Sequence, residues 1–271
     1  VDSDHSIDVT FSRIIEHEIK DDTIKKLLHN PIQFNIPEPI TEADMLTLTQ
    51  ASFSPYVYDK ITDISGLEYA KNIEKLWLNA NDIRDLTPLK ELTNLKELYI
   101  SSNPNLSDLT PLEGLSNLTV LEAYGCSISD CSALENLTNL TSLNLYANSI
   151  SDVSFLKNLT SLTALNISDN RIGDISALRY LTNLESFEAE NNQIRDISPL
   201  ASLTKLTRII LTENHISDIS ALPMLENARL GNKVKVTYDL TYNYLNTAEG
   251  SQTKQKIDAI HNKIFELNLA R

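Results

Sequence analysis

From Ile73 onward, apolar and polar positions follow a unit that repeats. Leu76 and Leu78 flank one outward position, the alternation of a short half-buried strand. Asn81 ends the strand, Ile83 turns inward, and Leu86, Leu89 and Leu92 continue the apolar set before Leu95 starts the next unit. The column of Asn81 recurs at Asn103, Cys126, Asn148, Asn170, Asn192, Asn214 and Asn243, at intervals of 22, 23, 22, 22, 22, 22 and 29 residues. Counting back 22 residues from Asn81 reaches Asp59, followed by Ile61, Ile64 and Leu67, so a degenerate first unit precedes the regular ones. The pattern predicts nine units, the first and last atypical. The extra residue of the second unit falls near Pro104 and Asn105, just past the strand.

Each unit reads as strand, turn and short return. Ser or Thr before Pro or Ala, as in Thr87-Pro88, Ser132-Ala133, Ser176-Ala177 and Ser198-Pro199, signals a helix start. Too few residues remain for a long helix, so a 3₁₀ or single-turn segment is expected. One such unit cannot bury enough apolar surface to offset the ordering of its backbone. Units must therefore stack into a solenoid, with a parallel sheet on the concave side and slim segments on the convex side.

The consensus Leu-x-x-Leu-x-Leu-x-x-Asn-x-Ile-x-Asp-Ile/Leu, in register over about residues 59–245, resembles the 22-residue form of the leucine-rich repeat. That form occurs in internalin-like bacterial surface proteins and in the phosphatase-regulating subunit of the SDS22 type. Ile40–Met45 is similar to the internalin segment leading into the first repeat, and Tyr238–Ser251 to their last repeat and closing helix. Because this sequence ends soon after that point, we expect a departure from internalins proper, without their appended immunoglobulin-like domain. The resemblance implies an α/β leucine-rich repeat solenoid. We expect a helical N-terminal cap over 1–50, repeats over 51–245 and a helical C-terminal cap over 246–271.

A solenoid exposes its core at both ends unless something covers it. Residues 7–29 carry Ile7, Val9, Phe11, Ile14, Ile15, Ile19, Ile24, Leu27 and Leu28 among charges, and predict one or two short helices. These break near Asp21-Asp22 and stop at Asn30-Pro31. Thr41 with Asp44 has capping-box spacing for a further helical turn. Ser251 to about His261 sets Ile257, Ile260 and Ile264 on one helical face.

Composition narrows the partners. The 271 residues carry 37 Asp plus Glu against 23 Lys plus Arg, a net charge of −14. Nucleic acid and anionic membrane surfaces are disfavoured by that sign. No apolar run reaches the roughly 18 residues a membrane-spanning helix requires. Two cysteines cannot make a disulfide framework.

Candidate chemistry is sparse. The Asn column reads as internal scaffolding. Cys126 and Cys131 read as buried, inert thiols. The column Asp63, Asp85, Asp108, Asp130, Asp152, Asp174, Asp196 and Asp218 could suggest a calcium ladder. Each precedes a return segment, however, where a carboxylate caps free N–H groups. His17-Glu18 lacks the second histidine of a zinc-protease helix, and the remaining histidines are scattered without a nucleophile. Triplets such as Asn117-Leu-Thr, Asn136-Leu-Thr and Asn158-Leu-Thr follow from repeat grammar. We expect neither enzyme activity nor a cofactor.

What varies is the outward side of the strands. One column runs Trp77, Tyr99, Glu122, Asn144, Asn166, Glu188, Ile210, Asp239; the next runs Asn79, Ser101, Tyr124, Tyr146, Ser168, Glu190, Thr212, Thr241. An aromatic patch (Trp77, Tyr99, Tyr124, Tyr146) and an acidic one (Asp169, Glu188, Glu190, Glu213) result. Trp and Tyr are enriched at interface hot spots. The candidate ligand-binding residues are Trp77, Tyr99, Tyr124, Tyr146, Glu122, Asn144, Glu188, Glu190 and Glu213. The partner expected is a protein or glycan, bound by a monomer that is secreted or displayed on a cell surface. The alternative is an intracellular regulatory or scaffold subunit of the SDS22 type.

Overall fold

The structure is a computed structural model that describes residues 12–31, 33–54, 59–222, 237–241, 243–245 and 248–259. Among the described residues, nine strands form one parallel sheet in sequence order. They are β1 (Gln50–Ser52), β2 (Lys75–Trp77), β3 (Glu97–Tyr99), β4 (Val120–Glu122), β5 (Ser142–Asn144), β6 (Ala164–Asn166), β7 (Ser186–Glu188), β8 (Arg208–Ile210) and β9 (Thr237–Asp239). The pairing aligns Leu76, Leu98, Leu121, Leu143, Leu165, Phe187 and Ile209, all of them buried. The return segments are 3₁₀ turns such as Thr87–Leu89, Ser132–Leu134 and Ser176–Tyr180.

Two ladders of side chains tie the turns together. Asn103 Oδ1 accepts the Ile83 N–H at 3.0 Å, while its Nδ2 donates to the carbonyls of Leu78 and Ile100 at 3.0 and 2.8 Å. Asn81, Asn148, Asn170, Asn192, Asn214 and Asn243 repeat this arrangement. It satisfies buried backbone groups that would each cost about 1–3 kcal/mol if left unpaired. On the return side, Asn94, Asn117, Asn139 and Asn183 each donate to a carbonyl of the preceding turn. The Asp column caps as expected: in every unit from Asp63 to Asp218 a carboxylate oxygen accepts the N–H two residues on, at 2.7–2.8 Å.

The first unit differs from the 22-residue count. Ala51 pairs with Leu76, so β1 lies 25 residues before β2, and three extra residues separate it from Ile61. From Ile61 onward the register is regular, because the Ile61 N–H meets Asn81 Oδ1 at 2.9 Å. The extra residue at Pro104-Asn105 is matched by the Cys126 anomaly. The Leu106 N–H turns back to the Asn103 carbonyl at 3.0 Å and so needs no amide oxygen from the next turn. Cys126, which has none to offer, is half-buried rather than buried, and its Sγ lies 3.5 Å from the Ile100 carbonyl.

The N-terminal cap consists of a 3₁₀ turn (Glu16–Glu18), α1 (Asp22–His29) and α2 (Glu42–Met45). Asp21 caps α1, and Thr41 and Asp44 form a reciprocal capping box on α2. Ile15, Ile19, Ile24, Leu27, Leu28, Ile40 and Met45 join the repeat core. Ile14 does not, because its backbone bridges Thr41 and its side chain faces out. Gly66 has φ +97°, and a Cβ there would sit 2.5 Å from Ile19 Cγ1, so cap and first repeat meet where only glycine fits. At the other end residues 252–259 are helical and Ile257 packs on the core. Ile7, Val9, Phe11, Ile260 and Ile264 lie outside the described residues. No described helix is long and apolar enough to cross a membrane.

Candidate functional site: the strand face

The pleat that buries the leucines turns their neighbours outward onto one face. The register sets Trp77, Tyr99, Glu122, Asn144, Asn166, Glu188 and Ile210 in a single row, one per strand. Trp77 and Tyr99 stack with ring centroids 5.2 Å apart and planes 6° apart. Both are half-buried, since each ring covers the other. Tyr124 and Tyr146, in the adjacent row, are 38% and 39% exposed and tilt at 50° with centroids 6.5 Å apart.

Polar side chains fix these rings from the side. The Tyr99 hydroxyl donates to Glu97 Oε2 at 2.9 Å, and Lys75 Nζ reaches Glu97 Oε1 at 2.7 Å. Burial, then the bond to Glu97, pushes the Tyr99 phenol up to about 12. The Lys75 bond holds the Glu97 carboxyl below its usual range. Beyond the stack, Asn144 Nδ2 donates to Glu122 Oε2 at 2.8 Å, and burial raises the Glu122 pKa. A hydrogen bond to Asp169 raises that of Tyr146.

Within the acidic patch, Glu188 is paired with a cation and Asp169 is hydrogen-bonded by an amide. Arg208 Nε lies 2.7 Å from Glu188 Oε1, and Asn166 Nδ2 donates to the same carboxylate. Asn191 Nδ2 donates to Asp169 Oδ1 at 2.7 Å. Glu190 and Glu213 are exposed. Lys75, Glu97 and Arg208 belong to a third outward row, one residue before each buried leucine column, that the sequence reading passed over.

Three positions read as outward are covered. Ser101, Ser168 and Thr212 are 0%, 4% and 7% exposed. The Ser101 and Ser168 hydroxyls accept the N–H groups of Tyr124 and Glu190 on the next turn, at 3.2 and 3.0 Å. A small hydroxyl there binds the neighbouring backbone instead of reaching solvent. Asp239 lies outside the residues whose side chains are described. Of the thiols, Cys131 is buried, and burial pushes its pKa up to about 12.

One parallel sheet with a varied outer face and a uniformly apolar inner one defines a repeat-built scaffold for macromolecular interaction. The sequence model of the family "Leucine Rich repeats (2 copies)" matches residues 71–114, 116–158, 143–180, 160–200 and 182–224. The chain belongs to the leucine-rich repeat family and is internalin-like. Internalin C2 of Listeria monocytogenes is 33% identical, with a TM-score of 0.74 over 86% of this chain and 99% of that one. A second Listeria monocytogenes internalin, inlF, is 26% identical, with a TM-score of 0.55 over 88% of this chain and 94% of that one. The ectodomain of an Arabidopsis thaliana receptor kinase, solved in complex with Casparian strip integrity factor 2, is 25% identical. Its TM-score is 0.58, covering 68% of this chain and 23% of that one. No curated protein sequence matches the chain significantly.

Proposed function

We propose that this chain is a bacterial leucine-rich repeat protein, secreted or displayed at the cell surface, that binds a protein ligand through its concave strand face. It acts as a monomer and performs no catalysis. One observation carries this reading: the Trp77–Tyr99 stack lies in the outward row of the sheet, with the Tyr99 hydroxyl held from the side by Glu97, itself paired with Lys75. Aromatic rings ordered before binding lose little entropy on contact, the property of an interface anchor. Nine strands at about 4.8 Å give a face roughly 38 Å long, enough for a standard protein interface of about 1,600 Å². A glycan would fit the same aromatic platform but would leave most of that length uncovered. The likeness to internalin C2 supports a surface or secreted placement over an intracellular regulatory subunit.

The test is differential capture from cell-surface extracts. Wild type and the convex-side variant Tyr180→Ala should retain the same protein, and the double variant Trp77→Ala/Tyr99→Ala should lose it. Equal capture by all three would remove the strand face from the account.

A further inference from the structure

The N-terminal cap brings Glu16, His29 and Glu38 to one point. Glu16 stands in the first 3₁₀ turn, His29 closes α1, and Glu38 lies in the loop that leads to Ile40. Their ligating atoms all fall within 4.8 Å of one another. His29 Nδ1 is 2.8 Å from the Ile36 carbonyl oxygen, which can only accept, so Nδ1 carries a proton. In the neutral ring Nε2 is then a lone pair. That atom is buried and has no hydrogen-bond partner. Glu38 Oε1 and Glu16 Oε1 face it at 3.7 and 3.9 Å, too far for hydrogen bonds. Glu16 is held in place because its other oxygen accepts the Ile40 N–H at 3.1 Å.

We propose that Glu16, His29 and Glu38 form a divalent transition-metal site, and that Zn²⁺ is the ion it suits. One imidazole nitrogen and two carboxylates, completed by water, make a four-coordinate set. Zinc bonds of about 2.0–2.2 Å place tetrahedral donors roughly 3.4 Å apart. Reaching that spacing asks a shift of a few tenths of an ångström from Glu16, now 3.9 Å from Nε2, and a rotation of Glu38, whose side chain is 76% exposed. The backbone carbonyl on Nδ1 is the partner that orients a ligating histidine. Ca²⁺ asks for six to eight oxygens, whereas two carboxylates and one imidazole nitrogen converge here. A bound ion would tie the 30–40 loop to α1 and the first turn, and so brace the cap that covers the first repeat.

The experiment titrates metal-free full chain with ZnCl₂ and, separately, CaCl₂ by calorimetry, with melting followed in parallel. We expect one Zn²⁺ per chain and a melting temperature raised by Zn²⁺ but not by Ca²⁺. Glu38→Gln should weaken zinc binding at least about tenfold while leaving metal-free melting unchanged. His29→Gln should abolish binding; because it also removes the Ile36 contact, Glu38→Gln decides the matter. Absence of a one-to-one zinc event, an equal response to Ca²⁺, or unchanged zinc affinity in Glu38→Gln would overturn the proposal.

Discussion

Trp77 and Tyr99 lie on adjacent strands as paired residues of the ladder, and their rings are parallel to within 6°. Tyr99 is thereby shielded from water on one face while its hydroxyl is engaged by Glu97. Position in the repeat, stacking and electrostatics converge on one surface element.

The Tyr99 phenol provides a direct probe of that element. Burial keeps it neutral to about 12, against about 10 for a free tyrosine. The unfolded chain then loses this proton before the folded one, so the stabilisation is complete below about pH 10 and is lost as pH rises through 12. Absorbance titration of wild type against Tyr99→Phe should show one late-ionising phenol missing in the variant. Normal titration of that phenol would mean the stack does not shield it.

The Asn ladder and its cysteine interruption predict opposite sensitivities. Asn192 is buried, accepts the Ile172 N–H and donates to Ile167, Ala189 and Glu190 carbonyls. Asn192→Ala orphans buried groups at about 1–3 kcal/mol each. Cys126→Ala should cost about 1 kcal/mol or less, the value of a small apolar area, since Leu106 already bonds within its own turn. Urea unfolding of the two variants measures the contrast.

Leu145 is fully buried just beyond β5. Its truncation to alanine leaves a cavity between stacked turns and should destabilise by about 2–5 kcal/mol. Denaturant midpoints at unchanged slope check this. An effect below about 1 kcal/mol would place the side chain outside the core.

The columns of Leu76, Asn81 and Asp85 were legible because each position does the same work in every turn, and repetition makes that work visible as period. β1 lies three residues earlier than a 22-residue count places it, and the first unit offers Asp59 rather than an asparagine in that column to anchor the count. Ser101 and Ser168 were misread because the cover over a small side chain comes from the next strand, which alternation within one strand does not report. A backbone column also escaped notice. Ala80, Ser102, Gly125, Ala147, Asp169, Asn191 and Glu213 all have positive φ, immediately before the Asn column. Only one of them is glycine, so composition gave no hint of the left-handed turn that swings the amide inward. Glu16, His29 and Glu38 carry no spacing signal at all. Only the folding of the cap unites them.

The measurement that bears most directly on the strand-face account is the affinity of a purified captured partner for three forms of the chain. Trp77→Ala/Tyr99→Ala should bind at least about thirtyfold more weakly than wild type, a hot-spot loss of about 2 kcal/mol. Tyr180→Ala should bind as wild type does. A partner held equally tightly by the double variant, with its fold intact by circular dichroism, would contradict the claim that this stacked pair is the anchor of recognition.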